Sequence, residues 1–83
     1  MRQFEFINDI EAWLEPLSYD DLWVELEAYA LDIPTKEHCD ELIEDTGLTI
    51  EVAANVIKDM ARVELANRYQ LSWADPVPFM AVH

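Results

Sequence analysis

Glycine is almost missing from this sequence, with Gly47 the single one in 83 residues. A loop that cradles phosphate with consecutive backbone N–H groups needs several glycines, so nucleotide-binding loops of that kind are excluded. Cysteine is equally scarce. Cys39 stands alone, which rules out an intrachain disulfide and fits a reducing compartment. No apolar run approaches the length of a membrane span. The N-terminal stretch MRQFEFINDIEAW places acids where a secretory signal would need an unbroken apolar core. The expectation is a cytoplasmic protein that does not enter a membrane. Basic residues are few as well: five Lys and Arg stand against 18 Asp and Glu, for a net charge of −13.

What is present is apolar and acidic at once. Residues of apolar type make up 52%, with three each of Trp, Tyr and Phe, too much for a disordered acidic tail. The length suits one domain, residues 1–83, with a modest core. The charge is unevenly spread. Between Gln3 and Ile57 there are 15 acids and one base, Lys36, whereas from Lys58 onward three acids meet three bases. Such a field repels nucleic acid and anionic membranes and attracts basic surfaces. Solubility alone needs far less charge.

Periodicity predicts a mostly helical α+β fold of about four helices. Asn8 and Glu11 have capping-box spacing for a first helix from near Asn8 to Glu15, stopped by Pro16. Residues Gln3 to Phe6 fit either an extension of it or a short strand. Ser18 caps a second helix whose stripe Tyr19, Leu22, Leu26, Tyr29 and Ile33 carries it to Pro34. Thr35 opens a third through Thr46, contacting the core with Leu42, Ile43 and Cys39, and Gly47 suits its left-handed end. Thr49 begins a fourth with an inner stripe of Ala53, Val56, Ile57, Met60 and Val63. From Leu65 the pattern alternates, with Leu65, Asn67, Tyr69, Leu71 and Trp73 on one side, which reads as a strand. Ala74-Asp75-Pro76 is a turn signal, and Val77 to Val82 then return as an edge strand to complete a C-terminal β-hairpin.

Residues 42–65, LIEDTGLTIEVAANVIKDMARVEL, resemble a helix-turn-helix, and the hairpin would make it a winged one. The resemblance implies that Leu42 and Ile43 pack the first helix, Gly47 takes the turn and Leu48 plugs the corner. Ala53, Ile57 and Met60 would then seat the second helix. Its chemistry departs from that of a DNA reader. The exposed start of the second helix holds Ile50, Glu51, Ala54, Asn55 and Lys58, where Arg, Lys, Asn or Gln would meet bases and phosphates. Only Asn55 could read a base, and only Lys58, Arg62 and Arg68 could touch phosphate.

Catalytic machinery is thin. His38 lies on an acidic helix and His83 at the chain end, and Ser18, Ser72 and the threonines read as caps and strand residues. The run His38-Cys39-Asp40-Glu41 points around a helix instead of toward one metal. The tryptophans read as core or interface anchors. The acids, by contrast, form rows: Asp21 with Glu25, and Glu37 with Glu41 and Glu44 or Asp45, neighbours on a helix at about 5–6 Å. By size and charge the chain is similar to the small acidic inhibitors of phages and mobile elements, the anti-CRISPR and anti-restriction DNA mimics. That likeness implies a non-enzymatic inhibitor without cofactor or metal. It would occupy the nucleic-acid-binding surface of a basic partner, such as a CRISPR effector complex, and bind no nucleic acid itself. The expected contacts are Asp20, Asp21, Glu25, Glu27, Asp32, Glu37, Asp40, Glu41, Glu44 and Asp45. Two other readings stay open. One is an interaction or homo-oligomerisation module using the apolar tail Val77-Pro78-Phe79-Met80-Ala81-Val82. The other is an acidic winged helix-turn-helix regulator of transcription.

Overall fold

The computed structural model describes residues 3–74. They form four helices: α1 (Ile7–Leu14), α2 (Tyr19–Glu27), α3 (Lys36–Thr46) and α4 (Ile50–Tyr69). The longest, α4, is the spine on which α1 and α2 pack, with α3 making the lighter contact. The core gathers Ile10, Trp13 and Leu14 from α1 with Tyr19, Leu22 and Leu26 from α2. Ala53, Ala54, Ile57, Ala61 and Leu65 face them from α4. Three alanines on that face let the neighbouring helices come close.

Three of the four N-terminal caps follow the local chemistry of the sequence. Ser18 Oγ accepts from the Asp21 N–H at 3.3 Å, Thr35 Oγ1 from that of His38 at 3.2 Å, and Thr49 Oγ1 from that of Val52 at 3.1 Å. Gly47 ends α3 in the left-handed region at φ 72°, as expected. The start of α1 differs. Phe6 is the cap position, and the Asp9 carboxylate reaches back to accept from the N–H groups of Phe6 (2.9 Å) and Glu5 (3.0 Å). Asn8 lies inside the helix, where its side chain accepts from the Ala74 N–H at 2.7 Å. Residues 3–6 are neither helix nor strand. They bring the Phe4 ring to 5.3 Å from Trp13, which in turn lies 5.5 Å from Tyr29.

The second helix stops at Glu27, well short of Pro34. Two short-range bonds, Tyr29 N–H to Leu26 O and Ala30 N–H to Glu27 O, tighten the chain into a turn. Ala30 then takes a left-handed φ of 48°. What holds this turn comes from α4. The Arg68 guanidinium donates to the carbonyl oxygens of Tyr29 and Ala30, and the Glu64 carboxylate accepts from the Asp32 N–H. Carbonyls that a longer helix would have used are taken by a side chain 39 residues away.

The expected strand from Leu65 is overturned: α4 continues to Tyr69. Ala61 and Leu65 are fully buried and extend the Ala53, Ala54 and Ile57 stripe at helical spacing. Gln70 ends the helix left-handed at φ 55°, and the Leu71 N–H bonds back to Ala66 O at 2.9 Å. The inner stripe is corrected too. Val56, Met60 and Val63 are exposed, as is Leu42, and alanines hold the buried places. Among the described residues there is no strand, so the C-terminal β-hairpin finds no support. The proposed return segment 77–82 lies outside them. No helix among the described residues is long and apolar enough to cross a membrane.

Candidate protein-binding surface

On α2 the buried side is Tyr19, Leu22 and Leu26, so the outer side is fixed by helical spacing. Asp20, Asp21, Glu25 and Glu27 all stand exposed on it. In their midst is Val24, which keeps 72% of its surface in solvent. On α3 the inward residues are Cys39 and Ile43, which turns Glu37, Glu41, Glu44 and Asp45 outward. Among the described residues none of these eight carboxylates is in an ion pair. Asp32 is exposed on the loop after α2.

Asp40 stands apart from the other acids. It accepts from the Tyr19 hydroxyl at 2.7 Å and from Lys36 Nζ at 2.9 Å, so it ties α3 to α2. The Tyr19 hydrogen bond first, and Lys36 second, hold its carboxyl below the usual range. Burial, then the hydrogen bond to Asp40, pushes the Tyr19 phenol up to about 12. Two of Asp40's acceptor positions are therefore already filled from within the protein.

The described cations are likewise engaged within the protein. Lys36 pairs with Asp40 and sits 5.6 Å from the centre of the Tyr19 ring. Lys58 Nζ donates to Glu15 O at 2.9 Å, near the end of α1 where the helix dipole favours a cation. Arg62 lies 4.0 Å from Glu11, 3.9 Å from Asp59 and 5.5 Å from the centre of the Trp73 ring. Arg68 holds the turn at Tyr29 and Ala30. Each described cation has a partner within the protein, whereas the eight outer acids of α2 and α3 have no ion-pair partner among the described residues.

The early end of α2 opens a groove of about 730 Å3 between that helix, the loop after it and the start of α3. Trp23, Val24, Leu26, Leu31, Ile33 and Pro34 wall it, with Asp20, Glu27 and Lys36 at its rim. Sequence reasoning missed this groove, because it exists only where the helix stops. Its trace in the sequence was Val24, an apolar residue off the buried stripe and set among acids.

Elsewhere the chemistry is sparse. Among the described residues no three His, Cys, Asp or Glu side chains come together in a way that could hold a metal ion. Cys39 is buried, and burial followed by the nearby Asp40 charge pushes its thiol up, away from the reactive thiolate. Compared with known proteins, the chain matches no family model, no curated protein and no solved structure.

Proposed function

We propose that this protein is a non-enzymatic inhibitor that binds the nucleic-acid-binding surface of a basic partner through its outward acids, in the manner of the anti-CRISPR and anti-restriction DNA mimics. The observation that carries the reading is the sorting of charge. Eight carboxylates on the outer faces of α2 and α3 lack an ion-pair partner among the described residues, while Lys36, Lys58, Arg62 and Arg68 are engaged internally. A row of uncompensated carboxylates offers a phosphate-binding protein what its Arg and Lys residues already recognise. In this reading the α3–Gly47–α4 turn is a helix-turn-helix-like scaffold for acids. The contacts are Asp20, Asp21, Glu25, Glu27, Glu37, Glu41, Glu44 and Asp45, with Asp32 beside them and Asp40 as an internal strut.

The test is capture of a partner from the native host on immobilised protein, followed by elution with salt and with duplex DNA. Both should release the partner, and Glu41→Lys with Glu44→Lys should prevent its capture. A partner retained through charge reversal and not displaced by DNA overturns the reading.

One observation favours a second reading, an interaction or oligomerisation module. Val52, Val56, Met60 and Val63 lie exposed along one side of α4 as an apolar strip, bordered at Met60 and Val63 by Ile33 and Pro34. The tail proposed for the same role, residues 77–82, lies outside the described residues. Concentration-dependent self-association abolished by Val56→Lys would favour this second reading over the first.

A further inference from the structure

The groove beside α2 has a property that charge mimicry alone does not use. Its volume, about 730 Å3, falls in the range of ~300–1,000 Å3 typical of small-molecule pockets, and its walls are apolar. It is also held open. Ala30 at its lip is left-handed at φ 48°, and Arg68 fixes that turn through the carbonyls of Tyr29 and Ala30. Collapse of the lip onto α2 would break those bonds. The groove is thus ready for an occupant before one arrives.

Its rim states the sign of that occupant. Asp20 and Glu27 stand one helical turn to either side of Val24, and neither has an ion-pair partner among the described residues. The one rim cation, Lys36, is held by Asp40 at 2.9 Å. An acidic segment would be repelled here, and a neutral one would desolvate the two carboxylates without return. They stand seven positions apart on the helix, a rise of about 10 Å. A facing helix with cations three or four residues before and after an apolar side chain spans the same distance.

We propose that the groove receives one bulky aliphatic or aromatic side chain from a cationic amphipathic helix of the partner, with flanking Lys or Arg paired to Asp20 and Glu27. This rests on the reading of a basic partner and adds the chemistry by which one basic surface is chosen over another. An apolar anchor in a preformed pocket confers specificity that a uniform charge row lacks.

Three synthetic peptides of equal length test it: a Lys-rich amphipathic helix with a Phe anchor, an oligolysine of the same net charge, and an acidic helix with the same anchor. Affinities are read by anisotropy of labelled peptide at about 0.5 M salt, where exposed charge pairs are largely screened. The amphipathic cation should bind about tenfold or more tightly than oligolysine, as burial of one large apolar side chain implies. Val24→Ser should remove most of that preference and leave oligolysine binding unchanged. Val24 is on the surface, so its fold is expected to survive, and circular dichroism checks this. Glu27→Gln, which leaves the walls intact, should weaken the amphipathic cation when the series is repeated at about 0.1 M salt, where the Debye length is ~10 Å. Equal affinity for the two cationic peptides, or indifference to Val24→Ser, overturns the groove while leaving a basic partner in place. Equal binding of the acidic helix overturns it by showing an apolar site with no preference of sign. Failure of both cationic peptides to bind even at about 0.1 M salt overturns the groove and the basic-partner reading together.

Discussion

Replacing Arg68 by Met tests whether α4 sets the end of α2. Met keeps most of the apolar stem and removes the guanidinium that donates to Tyr29 O and, at 3.4 Å, to Ala30 O. The Tyr29 bond is partly buried, and losing a charged donor there costs about 1.5–3 kcal/mol. The longer, exposed bond to Ala30 adds little. The expected loss is therefore ~2 kcal/mol, or roughly 8–16 °C in melting temperature for a domain of this size. Removing a cation also sharpens self-repulsion in a protein of net charge −13. The comparison should therefore be repeated at about 1 M salt, where the Debye length is ~3 Å. Urea and thermal denaturation followed by far-ultraviolet circular dichroism supply the numbers. Arg68→Lys should recover only part of the loss, because one ammonium cannot reproduce the two-pronged donor. A loss below about 0.5 kcal/mol, within the usual range of surface changes, would refute the argument. Full recovery with Lys would refute the role of the fork.

Other outcomes follow from α4 and its neighbours. Leu65→Ala should cost about 2–5 kcal/mol and Val63→Ala under about 0.5; the reverse ranking by urea denaturation would restore the stripe that periodicity suggested. Gln70→Gly should raise stability by about 0.5–1 kcal/mol by relieving a left-handed residue at the helix end, and a destabilised variant would contradict that conformation. The Tyr19 phenol, lifted from its ordinary 10.0 to about 12 by burial and by Asp40, favours the folded state while protonated. Its contribution is whole below about pH 10 and is lost as pH rises through about 12. Tyr19→Phe should flatten the fall in stability across that window, and an unchanged alkaline limb would disprove the assignment.

Local chemistry made part of the fold legible. Ser18, Thr35, Thr49 and Gly47 could be placed because a hydroxyl capping an amide, or a glycine turning left-handed, acts within three or four residues. The end of α2 could not, because Arg68 and Glu64 fix it from another helix. The inner face of α4 misled for a different reason. Hydropathy favours Val56, Met60 and Val63 over alanine, but closely packed helices need small side chains at the crossing, and Ala53, Ala54 and Ala61 took those places. The alternation from Leu65 to Trp73 was real as a pattern and carried no strand, since Leu65 had a helical berth against the core. For the candidate surface, charge was legible and its sorting was not. Lys36, four residues before Asp40, sets it apart from Glu41 in the chain, but its other partner, Tyr19, lies 21 residues away.

The bonds that join Ile7 N–H to Ser72 O and Ala74 N–H to Asn8 Oδ1 bring the two ends of the described chain together. Topologically this part of the protein is nearly a ring. A short linker from Ala74 to Gln3 would close it, and the exposed turn at Gly47 and Leu48 offers a place to open it again. The permuted chain would begin with α4 and end with α3 and would keep every helix contact described above. Its new ends would lie at Gly47, two residues from Asp45, and at Leu48, so that labels or tethers placed there would report directly on the acids of α3.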